Sequence, residues 1–201
     1  MSTGYKIQEQ DGAYYLTFQI VGWVDLFTRK EYRDVVIDSL KFCQKNKGLN
    51  LFAYVIMSNH IHLLAQSQNG DLSGFIRDFK SYTSKQFLEI IQTGKESRSE
   101  WLRVVFEYHG KLKSKQTFQL WTHENHAEHI YSQKFIEQKV HYIHHNPVHS
   151  GIVVNPEDYL YSSARNYAGL DSVIDVITVD IRWKTYNYLY LPGRARRDRF
   201  D

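Results

Sequence analysis

What the 201-residue chain lacks narrows its class before any motif is read. A single cysteine, Cys43, excludes an internal disulfide. It lies in SLKFCQKNKG, at the end of an amphipathic pattern, where a thiol packs rather than reacts. No run approaches the roughly 18 consecutive apolar residues of a membrane span. The opening residues, MSTGYKIQEQDG, have neither a basic n-region nor an apolar h-region. A cytoplasmic protein without a membrane partner is therefore expected. Net charge is also scarce: +3 is an excess that an ordinary solvated surface carries without any function. Linkers and low-complexity tracts are absent, so nothing in the text divides the chain into two globular units.

What is present is enough for one core, with 42% hydrophobic residues. One domain is expected over residues 1–167, followed by an extension over 168–201 with a basic tail. The distribution of charge says more than its sum. Lys111, Lys113 and Lys115 alternate, and Arg194, Arg196, Arg197 and Arg199 crowd the C-terminus. Aromatic residues make up 15% of the chain, and aromatic faces beside basic groups suit stacking on unpaired bases, although most tyrosines serve a core or its edge.

Periodicity gives the order of elements. Ala13–Val24, rich in β-branched and aromatic residues, reads as a strand. After Thr28, apolar positions at Tyr32, Val35, Val36, Leu40 and Cys43 follow a helical period that Gly48 stops. Leu51–Met57 and His60–Gln66 read as strands with only Ser58 and Asn59 between them, a tight antiparallel hairpin. Asp71 caps a helix carrying Phe75, Ile76, Phe79, Phe87 and Leu88. A polar loop, WLRVVFEYH and a basic connector GKLKSK then lead to TFQLW as the last strand. The sum is an α+β fold, βαββαβ, of ferredoxin-like type: an antiparallel sheet with helices on one face. A further helix from about Ser132 to His145 packs near that sheet, and Pro147 is expected to end it.

Two short stretches carry chemistry. In HIHLLA, alternation along a strand sends Ile61, Leu63 and Ala65 one way and His60 and His62 the other, so that two imidazoles can grip one cation. A His-x-His pair on a strand also occurs as a hydrogen-bonded surface pair. In HYIHHNP, Tyr142 and Asn146 stand four residues apart on one helical face. A phenol is a weak nucleophile near neutrality, yet it attacks a phosphodiester when a cation polarises the phosphoryl oxygens and the geometry is in line.

YVIMSNHIHLLA resembles the HUH motif (histidine, hydrophobic, histidine) of single-tyrosine transposases, the insertion-sequence 200-like family. YIHHNPVHSGIV, followed by PEDYLYSSARNY, resembles their REP-associated branch. The likeness spans about Tyr14 to Tyr167. It implies a transposase catalytic domain whose C-terminal helix carries Tyr142 as nucleophile, with His60 and His62 as metal ligands and Asn146 completing the metal shell. Related insertion-sequence enzymes have a glutamine at that last position. It also implies Mg²⁺ or Mn²⁺ as the divalent metal, whereas ligand softness alone would equally admit Zn²⁺ or Ni²⁺. The partner would be single-stranded or hairpin DNA at the nucleoid. The protein would work as a homodimer, as insertion-sequence relatives do, or as a monomer, as the REP-associated branch can.

Lys80, Lys85, Lys111, Lys113, Lys115 and Arg165 are candidates for phosphate contacts. Tyr131 reads as a packing residue. His141, His144, His145 and His149 read as solvated or phosphate-contacting, with His145 near enough to the Tyr142 face to be a substitute ligand, and WTHENHAEHI reads as an active-site rim or a DNA contact. Two other functional classes fit the same residues: a domesticated hairpin-binding protein that no longer cuts, and a metal-dependent phosphoesterase that activates water.

Overall fold

Residues 7–93, 96–113 and 116–180 are described by a computed structural model. Strand β1 (Ala13–Gln19) is followed by helix α1 (Lys30–Lys47), which Gly48 ends in a left-handed turn at φ 64°. Strands β2 (Leu49–Ile56) and β3 (His60–Ser67) form the expected hairpin, closed by Met57 N–H donating to the His60 carbonyl at 2.8 Å. Helix α2 (Leu72–Gln92) starts at Asp71, whose carboxylate accepts from Gly74 N–H and so satisfies one orphan donor of the first turn. Helix α3 (Ser99–Lys113), strand β4 (Glu128–His129), helix α4 (Gln133–His149) and the short helix α5 (Ala164–Tyr167) complete the order.

The sheet is antiparallel with strand order β2-β3-β1-β4, the arrangement a ferredoxin-like βαββαβ unit requires. Period-2 alternation divides its side chains between two layers. Leu16, Phe18, Ile61, Leu63 and Ala65 enter the larger cluster, covered by α1 and α2. Tyr15, Val55 and Leu64 enter a smaller one with Val140 and Ile143 of α4. In β2 the register shifts between Leu51 and Ala53, a bulge that keeps both Leu51 and Tyr54 on the larger face. Trp121 sits among Phe18, Phe27, Phe79 and Phe87, and its indole N–H donates to the buried Thr83 hydroxyl at 3.0 Å.

Several sequence expectations are corrected. The first strand stops at Gln19, because Val21–Trp23 and Leu26–Thr28 turn as 3-10 segments. GKLKSK is not a free connector: its first four residues continue α3. TFQLW is not the fourth strand. It runs beside the end of β1 with one bridge, Ile20 to Trp121, and the true β4 lies in WTHENHAEHI, where buried Ala127 and Ile130 flank two residues that pair with Tyr14 and Tyr15. Pro147 does not end α4. Its missing N–H falls in the last turn, where its own side chain is buried and Ser150 and Ile152 donate back to the carbonyls of Asn146 and Pro147.

The exposed edge of β2 is covered by the chain beyond α4. Ser163 N–H donates to the Tyr54 carbonyl, Ile56 N–H to the Tyr161 carbonyl and Ile177 N–H to the Leu51 carbonyl. Among the described residues, no helix is long and apolar enough to cross a membrane.

Candidate active site

The smaller face of the sheet gathers the chemistry. His60 and His62 leave β3 on the same side, with ring centroids 4.6 Å apart. Helix α4 lays Tyr142 over them, 5.3 Å from the His62 ring and edge-on, and 6.2 Å from Tyr15 of β1. Tyr142 is 44% exposed, so a nucleophile there meets solvent and substrate while His62, 5% exposed, is sunk beneath it.

Each imidazole is held through Nδ1. The His62 Nδ1 lies 2.7 Å from the Tyr15 hydroxyl and 3.0 Å from Thr17 Oγ1. The His60 Nδ1 lies 2.7 Å from the Asn59 amide oxygen, an acceptor that fixes the proton on Nδ1 and leaves Nε2 with its lone pair. The Nε2 of His62 is buried and has no hydrogen-bond partner among the described residues. Burial, then the neighbouring His60 and the Lys139 ammonium, push the His62 pKa down to about 3. Burial also lowers that of His60. Both rings are therefore neutral at physiological pH, the form that binds a metal. An unpartnered buried nitrogen beside a second neutral imidazole fits a divalent ion. Among the described residues no three His, Cys, Asp or Glu side chains converge as a metal shell.

Three residues escaped the sequence reading. Lys139, one turn before Tyr142, lies 4.1 Å over the Tyr15 ring and ion-pairs with Glu128 of β4 at 2.7 Å. Tyr15 and Thr17 orient His62. The period-2 rule was the available signal, since Tyr15 and Thr17 alternate onto the His62 face.

Residues 23–108 match the family described as Transposase IS200 like. That stretch is similar to IS200-like transposase sequence. It is under half of the chain, and includes both histidines but not Tyr142. Among curated proteins none matches. Among solved structures, the one entitled "Structure of the REP associates tyrosine transposase bound to a REP hairpin" is similar over 90% of this chain and 96% of its own, with 20% identity and a TM-score of 0.55. The family match covers both histidines, and the solved structure shares the fold.

The remaining candidates scatter around this transposase-like centre. Asn146 is half-buried on α4, one turn beyond Tyr142. Among the described residues His145 forms no three-ligand group with the histidine pair: it stacks on His141 at 3.9 Å and its Nδ1 meets the His141 carbonyl. Tyr131, 77% exposed, stacks on Phe135, so the packing role read from sequence is only a surface contact. Lys80 donates to the Thr122 carbonyl at 2.7 Å in a groove of about 550 Å³ between α2 and residues 116–125, and burial lowers its pKa to about 8. Lys85 and Lys111 are exposed on α2 and α3. Arg165 donates to the carbonyls of Glu157 and Asp171, bracing a loop. The Lys113 side chain, Lys115 and the four tail arginines lie outside the described residues.

Proposed function

We propose that this protein is a DNA transposase that cuts one strand of a single-stranded or hairpin DNA element through Tyr142 and rejoins the end elsewhere. The observation that carries the reading is the meeting of the Tyr142 ring with that of His62, 5.3 Å apart, although the two come from distant parts of the chain. The hairpin named for the similar solved structure supports a DNA substrate here.

His60, His62 and Asn146 would hold the metal ion. When bound, Mg²⁺ or Mn²⁺ supplies positive charge that polarises the phosphoryl oxygens. The phenol oxygen of Tyr142 attacks phosphorus, its proton passing to solvent, and the bond to the 3′ oxygen breaks. That oxygen leaves as a 3′-hydroxyl after taking a proton, and the 5′ end stays on the protein as a phosphotyrosine. Attack by another 3′-hydroxyl reverses the step, so no external energy source is needed. Tyr15, Thr17 and Asn59 keep the imidazoles oriented and neutral throughout.

The test is incubation with labelled hairpin DNA from the flanks of its own gene, with Mg²⁺ or Mn²⁺, followed by denaturing electrophoresis. A slow-migrating adduct is expected. Tyr142→Phe should abolish it, lowering nicking by about 10³-fold or more, while hairpin binding persists. Nicking that survives in Tyr142→Phe would mean hydrolysis by water, and binding without an adduct under any metal would mean a protein that no longer cuts.

A further inference from the structure

Trp23 is placed in a way that neither folding nor the chemistry above explains. It is 68% exposed, and its backbone is left-handed at φ 55°, directly after Gly22 at φ 64°. A bulky side chain in that region is strained, and a turn needing only the geometry would use glycine or asparagine. A tryptophan serving the core would be buried. Both choices oppose stability, and such strain persists where a site requires it.

The loop is not loose. Val21, Val24, Leu26 and Phe27 around Trp23 are buried. Ile20 N–H donates to the Asn59 carbonyl at 3.0 Å, and Phe27 N–H to the Ser58 carbonyl at 2.8 Å. The Asn59 side-chain amide donates to the Trp23 carbonyl at 3.4 Å and to Asp25 at 3.2 Å, while its oxygen holds the His60 ring. The backbone that carries the indole is thus tied, through one residue, to a proposed metal ligand. Helix α3 borders the loop: a Cβ on Gly22 would stand 3.2 Å from His109 Nε2, and exposed Tyr108 lies edge-on to His109 at 5.6 Å.

We infer that Trp23 is a stacking platform for one unpaired nucleobase of the substrate strand, beside the phosphodiester that is cut. An exposed indole on a backbone linked through Asn59 to His60 suits a nucleobase, since every base offers a π-face and stacking tolerates sequence. The inference rests on the DNA reading proposed above and adds how the strand is held, by a contact that a base-paired stem cannot make.

Binding is measured by fluorescence anisotropy on the full chain carrying Tyr142→Phe, so that no cutting intervenes. The probes are a hairpin with unpaired arms from the flanks of its gene, the same hairpin without arms, and a series with single abasic positions in the arms. Trp23→Ala should weaken the armed hairpin about ten-fold and leave the armless one unchanged. One abasic position should reproduce that loss with Trp23 present and show no further loss with Trp23→Ala. Trp23→Gly, which accepts φ 55° freely, should lose the same affinity while its Tm holds or rises. Unchanged affinity for the armed hairpin in both variants, or an equal loss with and without arms, overturns the inference. The adduct assay separates this from the proposed function: neutral Trp23 variants beside a normal adduct sink the platform alone. An abasic-dependent Trp23 effect in a protein that forms no adduct upholds the platform and sinks the cutting.

Discussion

Replacing Tyr15 by phenylalanine tests how His62 is prepared for its proposed role as a ligand. The ring would stay, stacked on His62 at 5.3 Å and under the Lys139 ammonium at 4.1 Å. Only the hydroxyl 2.7 Å from Nδ1 would go. Burial holds the Tyr15 pKa well above the usual phenol range, so this partner is neutral at any working pH. For Nε2 to offer its lone pair, Nδ1 must carry the proton and donate it to Tyr15 or Thr17. Losing one such neutral hydrogen bond costs about 0.5–1.5 kcal/mol of stability, or a Tm lower by a few degrees at most. Losing an outer partner of a metal-bound imidazole lowers metal affinity by roughly 10–100-fold. Thr17 remains at 3.0 Å, so Tyr15→Phe should fall near the lower figure and Tyr15→Phe with Thr17→Val near the upper. Mn²⁺ titration followed by the electron paramagnetic resonance of the free ion reads the affinity, and calorimetry reads Tm. If the double variant binds Mn²⁺ within about two-fold of the parent while Tm falls, the two hydroxyls serve packing and the ligand argument is wrong.

Two further predictions concern stability. Burial lowers the pKa values of His62 and His144 to about 3, so below the ordinary 6.5 the unfolded chain takes up protons that the fold refuses. Metal-free protein should therefore lose up to about 1.4 kcal/mol per pH unit for each histidine as pH falls from about 6.5. Urea denaturation between pH 7.5 and 5 measures this, and an unchanged slope in His144→Gln would refute it. Glu96, with a side chain fully shielded from solvent, meets Arg29 and Arg98 at 3.1 and 3.0 Å and accepts from the Tyr32 hydroxyl at 3.1 Å. Glu96→Gln leaves both arginines partly exposed and able to be solvated, and should destabilise by about 1.5–3 kcal/mol. A loss under about 1 kcal/mol would show the cluster acting as an exposed pair.

The fold was legible wherever one face of an element is buried and the other wet. Strand β3 shows its alternation in HIHLLA, and α1 and α2 show theirs in the spacing of Tyr32, Val36 and Leu40 and of Phe75, Phe79 and Phe87. Where pairing is brief or tertiary contacts decide, local pattern failed. Strand β4 is two residues long and has no periodicity to show. TFQLW is apolar because Leu120 and Trp121 enter the core, not because it joins the sheet as a strand. Pro147 is tolerated through hydrogen bonds made by residues after it. At the site, His60, His62 and Tyr142 stood out as chemical types at telling intervals. Lys139 did not, because its partners Glu128 and Tyr15 belong to strands that only the folded sheet brings beneath α4.

The two faces of the sheet divide the work unequally. The α1 and α2 side holds most of the buried apolar residues, whereas α4 meets the sheet through Val140, Ile143 and a handful of partners on β1, β2 and β3. So thin an apolar seam fixes neither the rotation nor the slide of a helix closely, because non-directional burial is nearly satisfied by neighbouring arrangements. Directional ties supply the difference. Gln133 reaches the Asp180 carbonyl near the start of α4, Lys139 reaches Glu128 at its middle, and His144 meets Ser163 at 2.9 Å just beyond Tyr142. Ser163 is itself tied to the main chain of Tyr54, so the segment that seals the edge of β2 also sets the register of the helix bearing Tyr142. The residues from Tyr159 to Ser163 therefore help to place Tyr142 through α4. Their loss would be felt in the alignment of Tyr142 before it was felt in the core.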